Sequence, residues 1–483
     1  MRLMASERLL VLDELRVPYE RSEADAGENG TTGTFPVPGF AVLRQTDRVD
    51  GPGLRWPSGS PHPSGTTGLQ YLEGIPFFAR LVPDALLAGA AEKHGWTAAV
   101  DILDAAQRRI ASVWREPDGG LVLPFDPNEA LRRLTTERYG DLEARGAGKR
   151  SSGLAVRAYY LLRPLLPRRL QLTMRRVFSR IRARRSFPRW PYEPARHDLI
   201  RRIYAFVAEI TDTPPPWIGA WPRPYAWALV VTHDVETAVG YDKMLEICAL
   251  EEARGYRSSW NFVPRRYQVE DARVEQIVER GFEVGVHGLY HDGRDLESTQ
   301  MIRERLPAIR ESADRWGAVG FRSPATQRQW EWMGMLGFDY DSSFPDTDPY
   351  EPQPGGSCSW LPFFIDNLVE LPITLPQDHT LFVILRRDGA STWIDKARQL
   401  RERAGMALLL THPDYMTDDA TLQAYVSFLD EFDGDGTAWR ALPRDVAAWW
   451  RRRAASHLEA FGDGWRVVGP AAGEAVIVTK APS

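Results

Sequence analysis

Between about Trp217 and Ala455 the sequence alternates short apolar runs with longer stretches of helical periodicity, and this rhythm is the strongest constraint on the fold. Strands that alternate with helices predict parallel βα units. About seven such strands favour a distorted or incomplete (β/α) barrel over an open sheet, so we expect an α/β fold. The candidate strands are Ala226–Thr232, Ser258–Val263, Phe282–His287, Val319–Arg322, Phe338–Asp341, Leu368–Pro372 and Ala407–His412.

The whole chain of 483 residues is too long for one small core, and we divide it into four parts. Residues 1–146 form an N-terminal accessory α/β region, with a helical pattern over Leu86–Trp114 and no catalytic motif. Residues 147–216 are a basic helical linker, and residues 217–455 are the barrel. Residues 456–483 contain WRVVG and AVIVTK, which predict a C-terminal β extension.

Cysteine content and hydropathy favour a cytoplasmic location. The two cysteines, Cys248 and Cys358, show no pairing pattern, which argues against a disulfide scaffold and fits a reducing compartment. The N-terminal stretch MRLMASERLLVLDELRVPYE lacks the uninterrupted apolar segment of a secretory signal. A transmembrane helix needs a run of about 18 apolar residues, and the sequence has none.

The linker contains a strongly cationic segment. Lys149–Arg189 holds 13 Lys or Arg residues and no Asp or Glu, although the net charge of the chain is −5. This segment fits a solvated helical linker, and it also fits an interfacial helix in peripheral contact with an anionic membrane. Nucleic-acid binding is disfavoured because no base-stacking or groove-reading module accompanies the basic residues.

Ionisable residues follow five of the predicted strands. Asp234 and Glu236 follow the first strand, and His287 and His291, in HGLYH, follow the third. The other three residues with this placement are Arg322, Asp341 and His412. The carboxyl ends of barrel strands meet at one face, where active sites of such folds lie, so we expect these side chains in one site.

Within that set, HGLYH indicates a metal site. Histidines at i and i+4 lie on one face if the turn is helical, which suits two imidazoles on one cation. Glu236 or Asp234 can supply the third ligand. Two histidines and one carboxylate are a catalytic zinc arrangement and also suit other divalent metals.

The remaining residues match the needs of attack on a carbonyl group. A divalent metal would polarise the carbonyl and lower the pKa of water toward neutrality. Asp234 is available as the general base, with Arg322 to orient it and keep it ionised. His412 is available as the general acid, and Asp341 is a candidate to hold its tautomer.

Each residue also has a purely structural interpretation. Glu236 could be a favourable carboxylate near a helix N-terminus, and Asp341 could form an Asx-type turn with Ser342 and Ser343. Arg322 could pair with any surface carboxylate, and His412 could merely end a strand. His233 fills no role in the chemistry, and we interpret it as a structural group.

The motifs THDVE, HGLYH, RSP, YDSS and LLTH, in this order, resemble the five motifs of the polysaccharide deacetylase family, the NodB-homology domains of carbohydrate esterase family four. The resemblance covers about half the chain. It implies a deformed (β/α) barrel of the NodB-homology type with a divalent metal, and removal of acetyl groups from N-acetylated sugars. It also implies that Asp234 is the base, His287 and His291 are metal ligands, Arg322 orients the base, and His412 is the acid.

Two positions depart from the family pattern. The commonest first motif has adjacent aspartates, whereas Val235 follows Asp234 here and Glu236 comes next. Glu236 is similar to the second aspartate of family branches with an Asp-Val-Asp motif. Ala325 stands where the family usually has a tyrosine after Arg-x-Pro, so one contact to the substrate is in doubt.

Together these features predict a metal-dependent hydrolase that removes N-acetyl or other acyl groups. We expect a glycan, glycolipid, or lipid- or nucleotide-linked sugar as substrate, and Zn²⁺ as the metal, with Co²⁺, Ni²⁺ or Mn²⁺ as alternatives. Two other functions stay open. The chain could be an amidohydrolase that acts on a non-sugar C–N bond, or a catalytically silent glycan-binding relative of the family.

Overall fold

A computed structural model describes residues 3–21, 35–46, 51–58, 68–139, 187–211 and 213–482. They belong to two compact units. The first comprises the described residues of Met1–Val156, Pro194–Gly219 and Arg453–Ser483, and the second those of Arg157–Glu193 and Ala220–Arg452. The basic segment lies outside the described residues except for positions 187–189, so its linker and membrane interpretations stay predictions. In the described part of the chain, no helix combines the length and apolarity needed to cross a membrane.

The first unit contains a nine-stranded sheet in the order β2-β1-β3-β4-β9-β8-β7-β5-β6. Its strands are β1 (Leu3–Ala5), β2 (Glu20–Arg21), β3 (Phe40–Gln45), β4 (Gly53–Pro57), β5 (Gln70–Leu72), β6 (Ile75–Phe77), β7 (Thr97–Asp104), β8 (Arg109–Arg115) and β9 (Leu121–Val122). Its helices are α1 (Leu10–Leu15), α2 (Asp84–His94), α3 (Pro127–Thr135) and α4 (Ala195–Glu209). Outside this sheet, β10 (Trp217–Ile218) pairs with β22 (Ile477–Val478), and β20 (His457–Phe461) pairs with β21 (Gly464–Val468).

The helical pattern over Leu86–Trp114 is wrong beyond His94. Gly95 ends helix α2 in the left-handed conformation, with φ of 73°. The chain then forms the antiparallel pair β7 and β8. Glycine adopts this conformation without the steric cost that other residues incur, so Gly95 stops the helix.

The second unit contains a mostly parallel sheet with helices between its strands. Its strands are β11 (Trp227–Val235), β12 (Ser259–Phe262), β13 (Glu283–Val286), β14 (Gly320–Phe321), β15 (Tyr340–Asp341), β16 (Phe363–Ile365), β17 (Leu368–Glu370), β18 (Met406–Thr411) and β19 (Ala438–Arg440). Its helices are α5 (Ala238–Glu252), α6 (Asp271–Glu279), α7 (Thr299–Trp316), α8 (Trp330–Met333), α9 (Ser391–Glu402), α10 (Asp419–Glu431) and α11 (Pro443–Ala454), which begins in this unit. One π-helical stretch covers His379–Ile384.

The strand order of this sheet is β16-β17-β15-β14-β13-β12-β11-β18, with β19 paired to β11. All neighbours are parallel except β16 and β17. Just past β17, the backbone N–H of Leu375 donates to the carbonyl of Leu408 in β18 at 3.0 Å. Thr374 Oγ1 also donates to the carbonyl of Met406 at 2.7 Å. The two sides of the sheet thus meet, and the expected α/β fold with a curled, barrel-like sheet is confirmed.

Strand β11 is buried along all nine of its residues. Its apolar part suits a strand that is covered on both faces. Towards its end the same strand carries Thr232, His233 and Asp234, which are also buried. Because a buried polar group without a partner costs about 1–3 kcal/mol, the end of β11 requires polar partners from neighbouring elements.

Gly320 in β14 makes room for a polar contact inside the sheet. The ring of Tyr340, in β15, fills the space beside it, and Tyr340 Oη donates to Glu283 Oε1 at 2.7 Å. A Cβ atom on Gly320 would lie 2.0 Å from Cζ of Tyr340. Only glycine therefore leaves the path from Tyr340 to Glu283 open.

We predict that Gly320→Ala destabilises the protein by about 1–3 kcal/mol, because the methyl group overpacks against a rigid ring. The measurement is the thermal unfolding midpoint. Gly436→Ala is the matched control, since a Cβ there meets no atom within 4 Å. Equal midpoints for the two variants would contradict this packing.

Candidate active site

The polar side chains at the carboxyl ends of the parallel strands converge. Asp234 lies near the end of β11, and Glu236 follows that strand directly. His287, Arg322 and His412 each come immediately after a strand, namely β13, β14 and β18. Contacts among their side chains, with His291, form one site at this edge of the sheet.

Glu236, His287 and His291 form a potential metal-binding cluster. One ligand atom from each of the three side chains can be chosen so that all lie within 4.8 Å of one another. His291 Nε2 lies 3.0 Å from Glu236 Oε1. The rings of His287 and His291 have centroids 5.0 Å apart. Imidazole nitrogens with a carboxylate oxygen suit a borderline divalent cation such as Zn²⁺.

The hydrogen bonds of the two histidines fit ligation. His287 Nδ1 lies 3.1 Å from the carbonyl of Arg322, which makes it the protonated nitrogen and leaves Nε2 with a lone pair. His291 Nε2 is buried and makes no well-aligned hydrogen bond, although Glu236 is close. A buried polar atom needs a partner, and a cation shared with the carboxylate would provide one. The residues present therefore fit a divalent metal.

The charge states of this cluster also fit. Burial lowers the pKa of His287 to about 4, although the charge of Asp234 acts in the opposite direction. His287 is therefore neutral near pH 7, as a metal ligand must be. Burial raises the pKa of Glu236, but the close approach of His291 and the charges of the site's histidines outweigh it. The net shift is downward, so Glu236 is a carboxylate.

The two histidines meet in an irregular loop, and the helical turn on which the i, i+4 argument depended is absent from residues 287–291. Gly288 and His291 have φ of 65° and 58°. The loop is held by Asp295, which accepts the N–H of Leu289 at 3.2 Å. A Cβ on Gly288 would lie 2.3 Å from that carboxylate, so this position requires glycine.

Asp414 fixes the start of the segment that presents Glu236. Its Oδ2 accepts the backbone N–H of Glu236 at 3.0 Å, and its Oδ1 accepts the hydroxyl of Thr237. Thr237 is the N-cap of helix α5 and accepts the N–H of Val239. Glu236 thus precedes the helix, and its side chain points to the histidines rather than capping the helix.

Asp234 is held by two donors. Its Oδ1 accepts from Asn261 Nδ2 at 2.9 Å and from Arg322 Nη1 at 3.1 Å. The carboxylate and the guanidinium are only 2% and 1% exposed, so the pair lies in a medium where charge interactions are strong. Burial raises the pKa of Asp234, but His287, Arg322 and His412 outweigh burial and lower it overall. Asp234 is therefore ionised and able to accept a proton.

His412 is held by Asp378, which the sequence analysis missed. Its Nδ1 lies 2.6 Å from Asp378 Oδ1, and its backbone N–H donates to Asp378 Oδ2 at 2.6 Å. Burial lowers the pKa of His412, but the Asp378 carboxylate and other acidic groups outweigh it and raise the pKa to about 10. Its Nε2 lies 3.7 Å from Glu236 Oε1, at the candidate metal site.

The predicted pairing of Asp341 with His412 is wrong, because Asp378 occupies that position. Asp341 accepts the N–H of Ser343 at 3.0 Å and its hydroxyl at 2.9 Å. This is the Asx-type turn that was the alternative interpretation. Asp341 follows its strand as expected, but its side chain is engaged within the turn.

His233 is structural, as expected. Its ring is fully buried, with Nδ1 at 2.8 Å from Thr411 Oγ1 and Nε2 at 2.7 Å from Glu251 Oε1. It stacks on Trp260, with ring centroids 4.2 Å apart. Because side chains alternate along a strand, His233 and Asp234 point to opposite faces of β11.

The missed residues carried different signals. Asn261 stands in a predicted strand, where a polar amide beside an aspartate's strand end could have been recognised. Asp378 follows no regular strand and precedes the π-helical stretch His379–Ile384. A buried imidazole needs a hydrogen-bond acceptor at its second nitrogen, and this need was the only signal that a residue like Asp378 must exist.

The sequence matches no protein-family model and no curated protein. Its structure is similar to a Mycobacterium smegmatis protein classed as a polysaccharide deacetylase, with 17% identity and a TM-score of 0.43, over 51% of this chain and 97% of that one. It is also similar to the PuuE allantoinase, with 18% identity and a TM-score of 0.38, over 48% and 92%. A family 4 carbohydrate esterase from Streptomyces lividans gives 13% identity and a TM-score of 0.30, over 44% and 90%. The family that the motifs resemble is thus among the structural matches, at low identity and over about half the chain.

We predict that protein purified without chelator contains about one equivalent of divalent metal, as a three-ligand site would hold. His291→Ala should lose this metal because it removes one of three ligands. His457→Ala is the matched control, since His457 lies exposed in strand β20. Elemental analysis provides the readout, and a wild type without metal even after addition of Zn²⁺ or Co²⁺ would contradict the site.

Proposed function

We propose that this chain is a metal-dependent hydrolase that removes an acyl group from the amide nitrogen of a sugar. The acyl group that we expect first is acetyl. The observation that supports this proposal is the convergence of three functions on one strand edge. The buried, ionised Asp234 lies 3.7 Å from His287 of the metal-binding cluster, and the protonated His412 lies 3.7 Å from Glu236 of the same cluster. Hydrolysis of an amide requires this combination of Lewis acid, base and acid.

Glu236, His287 and His291 would hold the metal, and we propose Zn²⁺, with Co²⁺, Ni²⁺ or Mn²⁺ as alternatives. When bound, a divalent cation polarises a carbonyl and makes water a better nucleophile at neutral pH. The protein fixes the ligands beforehand. The carbonyl of Arg322 sets the tautomer of His287, and Asp414 holds the backbone at Glu236. Such support keeps the ligands in the geometry that binding needs.

Asp234 is the proposed general base. Its Oδ2 lies 3.7 Å from His287 Nδ1, whereas Oδ1 is occupied by Arg322 and Asn261. Oδ2 is therefore the oxygen available to take the proton from the attacking water. Arg322 keeps the carboxylate ionised before the reaction and fixes its orientation.

His412 is the proposed general acid. Because Asp378 keeps its pKa at about 10, the ring is protonated near neutral pH. Asp378 binds the Nδ1 side, so the proton on Nε2 is the one that can reach the leaving nitrogen. Protonation of that nitrogen lets the C–N bond break with release of an amine and a carboxylate.

The substrate class rests on the chemistry of the site and on the resemblance of its motifs. An N-acetylated amino sugar offers a secondary amide that this arrangement can cleave. The first assay is release of acetate from N-acetylglucosamine oligomers and from sugar nucleotides by metal-loaded protein. Hydrolytic ring opening of a cyclic amide, without acetate release from any sugar, would instead assign the chain to the amidohydrolases that act on non-sugar C–N bonds.

We predict that Asp234→Asn lowers kcat by a factor of about 10²–10⁴, because a positioned base contributes on that scale. The metal content should stay at the wild-type value, since Asp234 is not among the three proposed ligands. Asp339→Asn, at an exposed position, is the matched control and should be fully active. Undiminished acetate release by Asp234→Asn would contradict the assigned base.

We predict that Asp378→Asn lowers kcat about 10- to 100-fold, the scale seen when a hydrogen-bond partner of a metal-bound histidine is removed. The amide cannot stabilise the imidazolium as the carboxylate does. Steady-state kinetics on the assay above provide the measurement, with circular dichroism to verify folding. If His412→Asn loses activity but Asp378→Asn is unaffected, Asp378 has no role in the acid function.

A further inference from the structure

Two buried carboxyl groups near the site have no place in the proposed reaction. Asp341 and Glu370 are paired in register at the ends of the neighbouring parallel strands β15 and β17. Both side chains are completely buried. Burial of two carboxyl groups side by side lowers the stability of the fold unless their charge is reduced or compensated. The surroundings of this pair should therefore show how its charge is reduced.

The hydrogen bonds around this pair leave one carboxyl oxygen without a protein donor among the described residues. The backbone N–H of Ser343 lies 3.0 Å from both Asp341 Oδ2 and Glu370 Oε1, and Phe344 N–H donates to Glu370 Oε1 at 2.9 Å. The two carboxyl groups also contact each other within hydrogen-bonding distance. Glu370 Oε2 finds no protein donor among the described residues. Ionised carboxylates only accept hydrogen bonds, so this contact requires a proton between them.

The electrostatics agree with this geometry. Burial raises the pKa of Glu370 well above its usual value, and the negative charge of Asp341 adds to the effect. The cation that acts on Asp341 is Arg322, beside it at the end of β14. Two carboxyl groups that share a site cannot both ionise easily, so one of them holds a proton.

The pair is hydrogen-bonded to the turn that holds Arg322. Arg322 Nε donates to the carbonyl of Ser342 at 2.7 Å, and Nη2 donates to its hydroxyl at 2.8 Å. Ser343 Oγ accepts the backbone N–H of Ser323, next to Arg322, at 2.9 Å. The carboxyl groups fix the turn of residues 341–344. That turn holds the Arg322 guanidinium, which contacts Asp234.

We propose that Asp341 and Glu370 share one proton and are positioning residues, which hold Arg322, and through it Asp234, in place by fixing the turn of residues 341–344. The single negative charge that remains on the pair faces the Arg322 cation. The effect on turnover rests on the proposed function, whereas the shared proton does not depend on it.

The first test compares two replacements of Glu370. Glu370→Gln reproduces a protonated glutamate, since its amide oxygen accepts the two N–H groups and its NH₂ donates to Asp341. We expect kcat within about threefold of the wild type for Glu370→Gln, and a loss of about 10- to 100-fold for Glu370→Ala. KM and metal content should be unchanged. Equal defects in both variants, or none in Glu370→Ala, would overturn the proposal.

The second test asks whether Glu370 acts through Arg322. In an Arg322→Lys background, Glu370→Ala should cause little further loss of kcat. The effects of two substitutions are not additive when one residue acts through the other. A full additional loss would mean that Glu370 does not act through Arg322. If Glu370→Ala does not fold, Asp341→Asn/Glu370→Gln replaces it. This neutral pair removes the negative charge that the two carboxyl groups present to Arg322 and should lose activity that Glu370→Gln alone keeps.

The third test needs no substrate and thus separates this proposal from the proposed function. A carboxyl group whose pKa is raised on folding stabilises the protein at low pH, and this contribution is lost as the pH rises through the raised pKa. A glutamine side chain at this position has no such proton to lose. The unfolding midpoint of the wild type should therefore fall relative to that of Glu370→Gln as the pH rises above the ordinary glutamate pKa of about 4.3. A difference that is constant with pH would exclude the shared proton.

Discussion

The ion pair between Asp234 and Arg322 is the interaction on which the candidate site depends. Both groups are almost completely removed from water, and neither could stay charged there alone. Strand β11 is apolar until its end because it is covered on both faces, and it can place a carboxylate at that end only because Arg322 follows β14 at the same edge. The parallel arrangement of the sheet thus creates the site, since it brings the ends of distant segments together.

Around this pair, each reactive group is held by a neighbour that leaves one atom free. Arg322 and Asn261 occupy one oxygen of Asp234, and Asp378 occupies one nitrogen of His412. The carbonyl of Arg322 occupies one nitrogen of His287. In a site of low dielectric, such fixed partners set charge and tautomer before any substrate binds. The proposed acid and base are therefore prepared by hydrogen bonds within the fold.

The sequence predicted the parts of this arrangement that follow from periodicity. Apolar runs separated by helical stretches gave the α/β unit with its curled sheet, and the polar residues after those runs gave the members of the site. Two kinds of feature were not predictable in this way. The pattern over Leu86–Trp114 continued past Gly95, because alanine and leucine fit a helix locally, whereas strand pairing with β8 decided the outcome. The partner of His412 came from Asp378 rather than Asp341, because a turn that no pattern marks brings it there. Contacts between irregular segments depend on tertiary packing, and they leave no periodic pattern in the sequence from which they could be predicted.

The proposed reaction depends most on the binding of one divalent cation by Glu236, His287 and His291. Anomalous diffraction at the zinc edge, from crystals of the full chain grown with Zn²⁺, tests this binding directly. We predict one strong peak between the three side chains, about 2.0–2.2 Å from a nitrogen of each histidine and an oxygen of Glu236. A fully loaded crystal with no peak at this position, or with the zinc bound only by other residues, would contradict it.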